Sequence, residues 1–258
     1  MSAESQPLDH ALATLVGAST LLVATDFDGV LAPLVDNPDD SRITAEGREA
    51  LDALASTPGV SVALVSGRGL ANLRVVSQAD SRWWMVGSHG IEVEGPAEMG
   101  AISVPTANEG DLQAVWDDFV EVANLFPGTW VETKPWGAAL HTRGIDADVE
   151  AKVREAAREK IARYGDSLTT RLGHGIIESS LQSQTKGDGL LALIREIQPA
   201  CTLFLGDDVT DEDALAVLGP ADVGIKVGEQ PSVAPYRINS VPEVASFLAA
   251  IAGGRAKE

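Results

Sequence analysis

The chain is predicted to fold as an α/β protein, a parallel sheet flanked by helices, with a smaller α+β domain inserted into it. Three observations predict this. Short, continuously apolar runs alternate with helix-like segments; in the middle of the chain the rhythm changes to helix, strand, strand, twice over; the first rhythm then resumes.

The apolar runs are LLVAT at 21–25, VSVALV at 60–65, WWMVG at 83–87, CTLFLG at 201–206 and DVGIKVG at 222–228. Runs without polar alternation suit strands buried on both faces, which is the situation of a parallel sheet covered by helices. Helices are expected at about 44–56, 187–198 and 210–218. Thr44 and Thr210 precede two of them as candidate N-caps, each followed by acidic residues that suit a helix start. In the middle, 110–126 and 146–164 read as helices, and 129–134 with 138–143, then 168–172 with 176–181, read as strand pairs. The short turns PWG at 135–137 and GHG at 173–175 make those pairs antiparallel hairpins. The expected domains are therefore a core of 1–92 and 184–258 and an insert of 93–183 with the order αββαββ.

Composition narrows the function. With 38 acidic and 19 basic residues the net charge is -19, which opposes nucleic acid and anionic membrane at long range. An anionic substrate must then be captured locally, which points to a bound cation. No run approaches the roughly 20 apolar residues of a membrane span, and the N-terminus lacks the pattern of a secretory signal, so a cytoplasmic protein is expected. The single cysteine, Cys201, lies in an apolar run and reads as a buried, inert thiol.

Asp26-Phe27-Asp28-Gly29 directly follows the first apolar run, at the carboxyl end of a strand where open α/β sheets place ligands. A carboxylate there can attack phosphorus, and a second one two residues on can act as general acid and then base. Val30 and Asn37 stand where a calcium-binding EF-hand loop needs ligands, which argues against that reading. Ser66 ends the next strand in ALVSGR and offers a hydroxyl to a phosphate oxygen; Lys186 opens a helix, where an ammonium and a positive helix end meet an anion together. Gly206-Asp207-Asp208-Val209-Thr210-Asp211 follows another buried strand with three carboxylates, a concentration of like charge that calls for a cation. Oxygen ligands of this kind suit magnesium.

With these motifs in this order, the chain resembles the haloacid-dehalogenase superfamily and, more narrowly, the trehalose-6-phosphate phosphatases, along nearly its whole length. The resemblance implies that Asp26 is nucleophile and magnesium ligand, that Asp28 is the acid/base and binds the metal through its carbonyl, and that Ser66 and Lys186 bind phosphate. It makes Asp207 a metal ligand, with Asp208 or Asp211 holding metal-bound water. VSGR at 65–68 and SHG at 88–90 also resemble the narrower family, marking Gly67, Arg68 and His89 as substrate-facing. The insert resembles the family's cap, whose segment VETKPWGAALHTR at 131–143 implies that Glu132 and Lys134 hold sugar hydroxyls, with Glu178 as a third contact. Ser179-Ser180-Leu181 departs from the Arg-Pro pair frequent after that Glu. His141 and Arg143 read equally as substrate contacts or cap structure, and Trp136 as a sugar platform or a hairpin-packing residue.

The implied activity is magnesium-dependent hydrolysis of trehalose 6-phosphate through an aspartyl-phosphate, by a monomer whose partner is a small sugar phosphate. Another sugar phosphatase, or a phosphomutase with the same cap type, shares these motifs. A receiver-like signalling domain also uses an Asp pair, a hydroxyl and a Lys, but is far shorter and has no such insert.

Overall fold

A computed structural model of the chain describes residues 7–96, 101–102, 109–134, 136–173, 175–181 and 184–256. In chain order the first stretch forms α1 (Leu8–Gly17), β1 (Leu21–Thr25), α2 (Ala45–Ala55), β2 (Val60–Val65), α3 (Leu70–Ser77), β3 (Trp84–Gly87), β4 (Glu92–Glu94) and β5 (Ala101–Ile102). The middle forms α4 (Glu109–Leu125), β6 (Trp130–Lys134), β7 (Gly137–His141), α5 (Ala147–Ile161), β8 (Thr169–Gly173) and β9 (Ile176–Ser180). The chain ends with α6 (Lys186–Ile197), β10 (Cys201–Gly206), α7 (Asp211–Ala216), β11 (Val223–Val227), β12 (Tyr236–Ile238) and α8 (Val241–Arg255).

Two compact units result, 1–104 with 184–258, and 105–183. The boundary at 93 expected from sequence moves to 105. The reason is local: β4 pairs with β3 and β5 with β4, so both strands extend the first unit's sheet.

That sheet has the order β12-β11-β10-β1-β2-β3-β4-β5, parallel from β12 to β3. β1, β3, β10 and β11 are buried along their whole length, as their apolar runs predict. Leu21 and Val23 of β1 pack with Leu15, Leu51, Leu54 and Leu248 from α1, α2 and α8, whereas Leu22 and Ala24 pack with Leu190 and Leu193 of α6 and Leu215 of α7. β1 lies between β10 and β2, so the residues after it emerge at the middle of the sheet's carboxyl edge. Thr44 caps α2, its hydroxyl accepting from Gly47 N–H at 3.1 Å. Thr210 precedes α7 without capping it, because its hydroxyl donates to Asp208 instead. Cys201 is buried, and burial pushes its thiol up to about 11, which keeps it inert.

The second unit is an antiparallel sheet of order β6-β7-β9-β8. Ala138, Leu140 and Ile177 on one face cover an apolar core with Val115, Phe119 and Val122 of α4 and Val153 and Ala157 of α5. Period-two alternation then puts Trp130, Glu132, Lys134, His141, Glu178 and Arg171 on the other face. The helix expected to reach 164 stops at Ile161 and continues as a 3₁₀ segment through Ser167, with Gly165 at φ 53°. Arg143, expected on the strand with His141, lies in the turn beyond β7.

Candidate active site

Four strand ends and one helix start of the first unit converge chemically. Asp26 follows β1 and is 5% exposed; its N–H donates to Leu205 O at 2.9 Å, which ties it to β10. Lys186 is the first residue of α6, whose start is fixed by a capping box between Thr185 and Asp188. Its buried ammonium lies 3.1 Å from Asp26 Oδ1 and donates to Asp211 Oδ1 at 2.7 Å. Burial works against that charge, yet the carboxylates of Asp26 and Asp211 hold the ammonium's pKa above its ordinary value.

Asp211 is fully buried and shapes the acidic loop. Its Oδ2 accepts the N–H groups of Asp207 and Asp208, both at 2.9 Å, and thereby folds the loop back onto the start of α7. Asp207 is left differently: its Oδ1 is buried and has no hydrogen-bond partner among the described residues. Burial, then Asp211 and Asp208, push its pKa up to about 6. Asp26 is also pushed well up, by burial first; Lys186 opposes this, and Asp211 and Asp207 add to it.

Asp26, Asp207 and Asp211 each offer one oxygen, all within 4.8 Å of one another. An orphaned buried oxygen, two carboxyls short of positive charge and an all-oxygen donor set fit a hard divalent cation. Gly29 makes room for this cluster: it has φ 77°, and a Cβ there would stand 2.1 Å from Asp207 Oδ2.

The remaining candidates divide. Asp208 does not join the cluster; it accepts from the Thr210 N–H and hydroxyl, and although burial pushes its pKa up, Lys186 and the Thr210 donors hold it below the ordinary value. Ser66 is 2% exposed beside the cluster's neighbour strand, its Oγ accepting from Arg68 N–H at 3.2 Å. His89 packs its ring on Gly67, where a Cβ would stand 2.6 Å from His89 Cε1. Ser88 and His89 both hold positive φ, 49° and 56°, a strained pair of the kind that accumulates at functional sites. Glu92 supports that turn, accepting from Ser88 Oγ at 2.6 Å and from Leu70 N–H at 3.1 Å.

Arg68, expected to face substrate, has other employment. Its Nε and Nη2 donate to Asp28 Oδ2 and Oδ1 at 2.6 and 2.7 Å, Nη2 also donates to Pro38 O, and Nη1 to Asn72 Oδ1. Ser41 Oγ adds a third donor to Asp28 at 2.9 Å.

On the second unit, Lys134 Nζ is 3.2 Å from Glu178 Oε1, and His141 Nε2 is 3.0 Å from Glu132 Oε2. Glu178 is in register with Arg171 across β8, so a cation that sequence reading passed over shares this face. Trp136 is half-buried in the β6–β7 turn, where its carbonyl accepts from Leu181 N–H.

Sequence reading also missed Lys226 and Glu212. Lys226 Nζ is buried and donates to Asp208 O and Glu212 Oε1, both at 3.0 Å, so β11 braces the acidic loop. A lysine inside the apolar run VGIKV was the available signal.

The family described as trehalose-phosphatase matches residues 24–244. A trehalose-phosphate phosphatase of Mycobacterium tuberculosis is 31% identical over 239 residues, covering 86% of this chain and 59% of that protein; the chain thus spans less than two thirds of the length of such relatives. Among solved structures, the C-terminal domain of Candida albicans trehalose-6-phosphate phosphatase superposes with a TM-score of 0.82 at 20% identity, covering 98% of this chain and 99% of that one. A haloacid dehalogenase-like hydrolase from Bacillus subtilis gives a TM-score of 0.59 at 16% identity, covering 88% and 98%. These likenesses establish a haloacid-dehalogenase fold.

Proposed function

The chain belongs to the trehalose-phosphatase family, and on that ground we propose that it hydrolyses trehalose 6-phosphate to trehalose and phosphate. The observation that carries the reading is the buried Asp26 carboxylate beside the Lys186 ammonium, facing the unpartnered oxygen of Asp207.

In the first step an oxygen of Asp26 forms the new bond to phosphorus as the bond to the sugar oxygen breaks, and Asp28 gives that oxygen its proton. Lys186 and the Ser66 hydroxyl hold the phosphoryl oxygens. In the second step water attacks phosphorus, Asp28 takes the water's proton, and the bond to Asp26 breaks, releasing phosphate. Asp26 and Asp207, with Asp211 behind them, would hold magnesium, which when bound supplies positive charge to the transferring phosphoryl group. To act, Asp28 turns one oxygen from the Arg68 fork to the leaving oxygen while the other stays on the guanidinium, which keeps the carboxyl in place. On the second unit, Glu132, Lys134 and Glu178 are proposed to hold sugar hydroxyls, with His141 beside them; Arg143 and His89 are retained as substrate contacts.

No helix of the described residues is long and apolar enough to cross a membrane; the chain is proposed to act as a cytoplasmic monomer. The test is phosphate release from trehalose 6-phosphate beside sucrose 6-phosphate, mannose 6-phosphate and glucose 6-phosphate, with magnesium and after chelation. A preference for another sugar overturns the substrate, and isomerisation with little free phosphate overturns hydrolysis.

A further inference from the structure

The second unit's open face has two chemically distinct ends. At one end of β6 stands the Lys134–Glu178 pair, each side chain 19% exposed. At the other end Trp130 stacks on His141, with ring centroids 3.6 Å apart and planes 5° from parallel, and Glu132 accepts the His141 ring nitrogen at 3.0 Å. Trp130 is nevertheless 55% exposed, so the indole face turned away from His141 is bare. A tryptophan left in water exposes apolar surface at a cost, and here the Glu132–His141 hydrogen bond fixes its stacking partner and so its plane.

Trp130 and Lys134 lie on the same face of one strand, four positions apart, which is about 13 Å at roughly 3.3 Å per residue. That separation accommodates two linked pyranose rings, one over the ion pair and one over the indole. We propose that Trp130, held by His141 and Glu132, is a stacking platform for the second ring of a disaccharide phosphate. The apolar C–H face of a pyranose matches the bare indole, while its edge hydroxyls reach Glu132. The platform makes the unit selective for two rings over one. This rests on the reading that Lys134 and Glu178 contact sugar.

The test compares kcat/KM of the full chain and its Trp130→Ala and Trp130→Phe variants on trehalose 6-phosphate, sucrose 6-phosphate, glucose 6-phosphate and p-nitrophenyl phosphate. Losing one stacked indole face corresponds to about three- to tenfold. Trp130→Ala should lose that factor on the preferred disaccharide phosphate, carried by KM, relative to the one-ring and aryl substrates, and Trp130→Phe should recover part of it. Equal losses on all four substrates in both variants, or no loss on the disaccharides, overturn the platform. A wild-type chain that prefers sucrose 6-phosphate refutes trehalose 6-phosphate as substrate while the platform stands on the same ratio. One that hydrolyses glucose 6-phosphate as well as either disaccharide refutes the platform itself.

Discussion

The guanidinium of Arg68 grips both carboxylate oxygens of Asp28, at 2.6 and 2.7 Å, from a position 13% exposed over the ring of Phe27. A planar fork on a planar carboxylate fixes direction as well as distance. With Asp28 as the proposed acid, Arg68 is its positioning residue, and its loss should matter in proportion to how much the leaving group needs a proton. Arg68→Ala is expected to lower kcat on a sugar phosphate by at least tenfold, below the 10²–10⁴-fold range of a general acid itself, with a several-fold smaller loss on p-nitrophenyl phosphate. A phosphate-binding role for Arg68 would instead depress both substrates alike and raise KM.

Asp26→Asn should abolish turnover and the acid-stable signal of a radiolabelled phosphoenzyme while the circular dichroism spectrum stays native. The amide has the same shape but is neither an adequate nucleophile nor an anionic ligand. Activity above a few per cent of wild type contradicts the covalent route.

Magnesium should raise the melting temperature by mass action, since the oxygens of Asp26 and Asp207 are assembled only in the folded chain. At a hundredfold excess over Kd the gain is about 2.7 kcal/mol, which is several degrees for a chain of this size. Asp207→Asn should abolish that increment, and calorimetry with and without EDTA measures it.

Lys226→Met removes the buried ammonium that joins Asp208 O to Glu212. A charged hydrogen-bond partner left behind in a partly buried place costs about 1–3 kcal/mol, so denaturant unfolding should show a loss of that order. The acidic loop loses its brace in the same stroke, and more magnesium should be needed for half-maximal activity.

Lys134→Ala and Glu178→Ala each break the Lys134–Glu178 pair and remove contacts proposed to hold sugar. A cost of roughly 1–3 kcal/mol is about 5- to 150-fold in kcat/KM on trehalose 6-phosphate. The aryl phosphate, which has no sugar, should keep nearly its full rate. Equal losses on both would make this pair structural.

Much of this was legible in order along the chain. LLVAT, VSVALV and CTLFLG coincide with β1, β2 and β10, because a strand covered on both faces is dominated by apolar residues without alternation. Asp26, Ser66 and Lys186 were found because strand ends and helix starts are local features, and the acidic loop because three carboxylates in five positions stand out in any context.

What sequence could not supply was the pairing of distant side chains. Arg68 was read as facing substrate, and only the tertiary structure brings it to Asp28, forty residues earlier. Three neighbouring aspartates were equivalent on paper; backbone N–H groups and Lys186 claim Asp211, Thr210 claims Asp208, and Asp207 is left with a buried oxygen that has no hydrogen-bond partner among the described residues. The sequence by itself determined which strands form and that Asp26, Ser66, Lys186 and the acidic loop stand at strand ends or a helix start, since both follow from local pattern and burial. The tertiary structure decided which of those charges neutralise one another and which remain open to a ligand, because hydrogen bonds and ion pairs act over a few ångströms of space irrespective of separation along the chain.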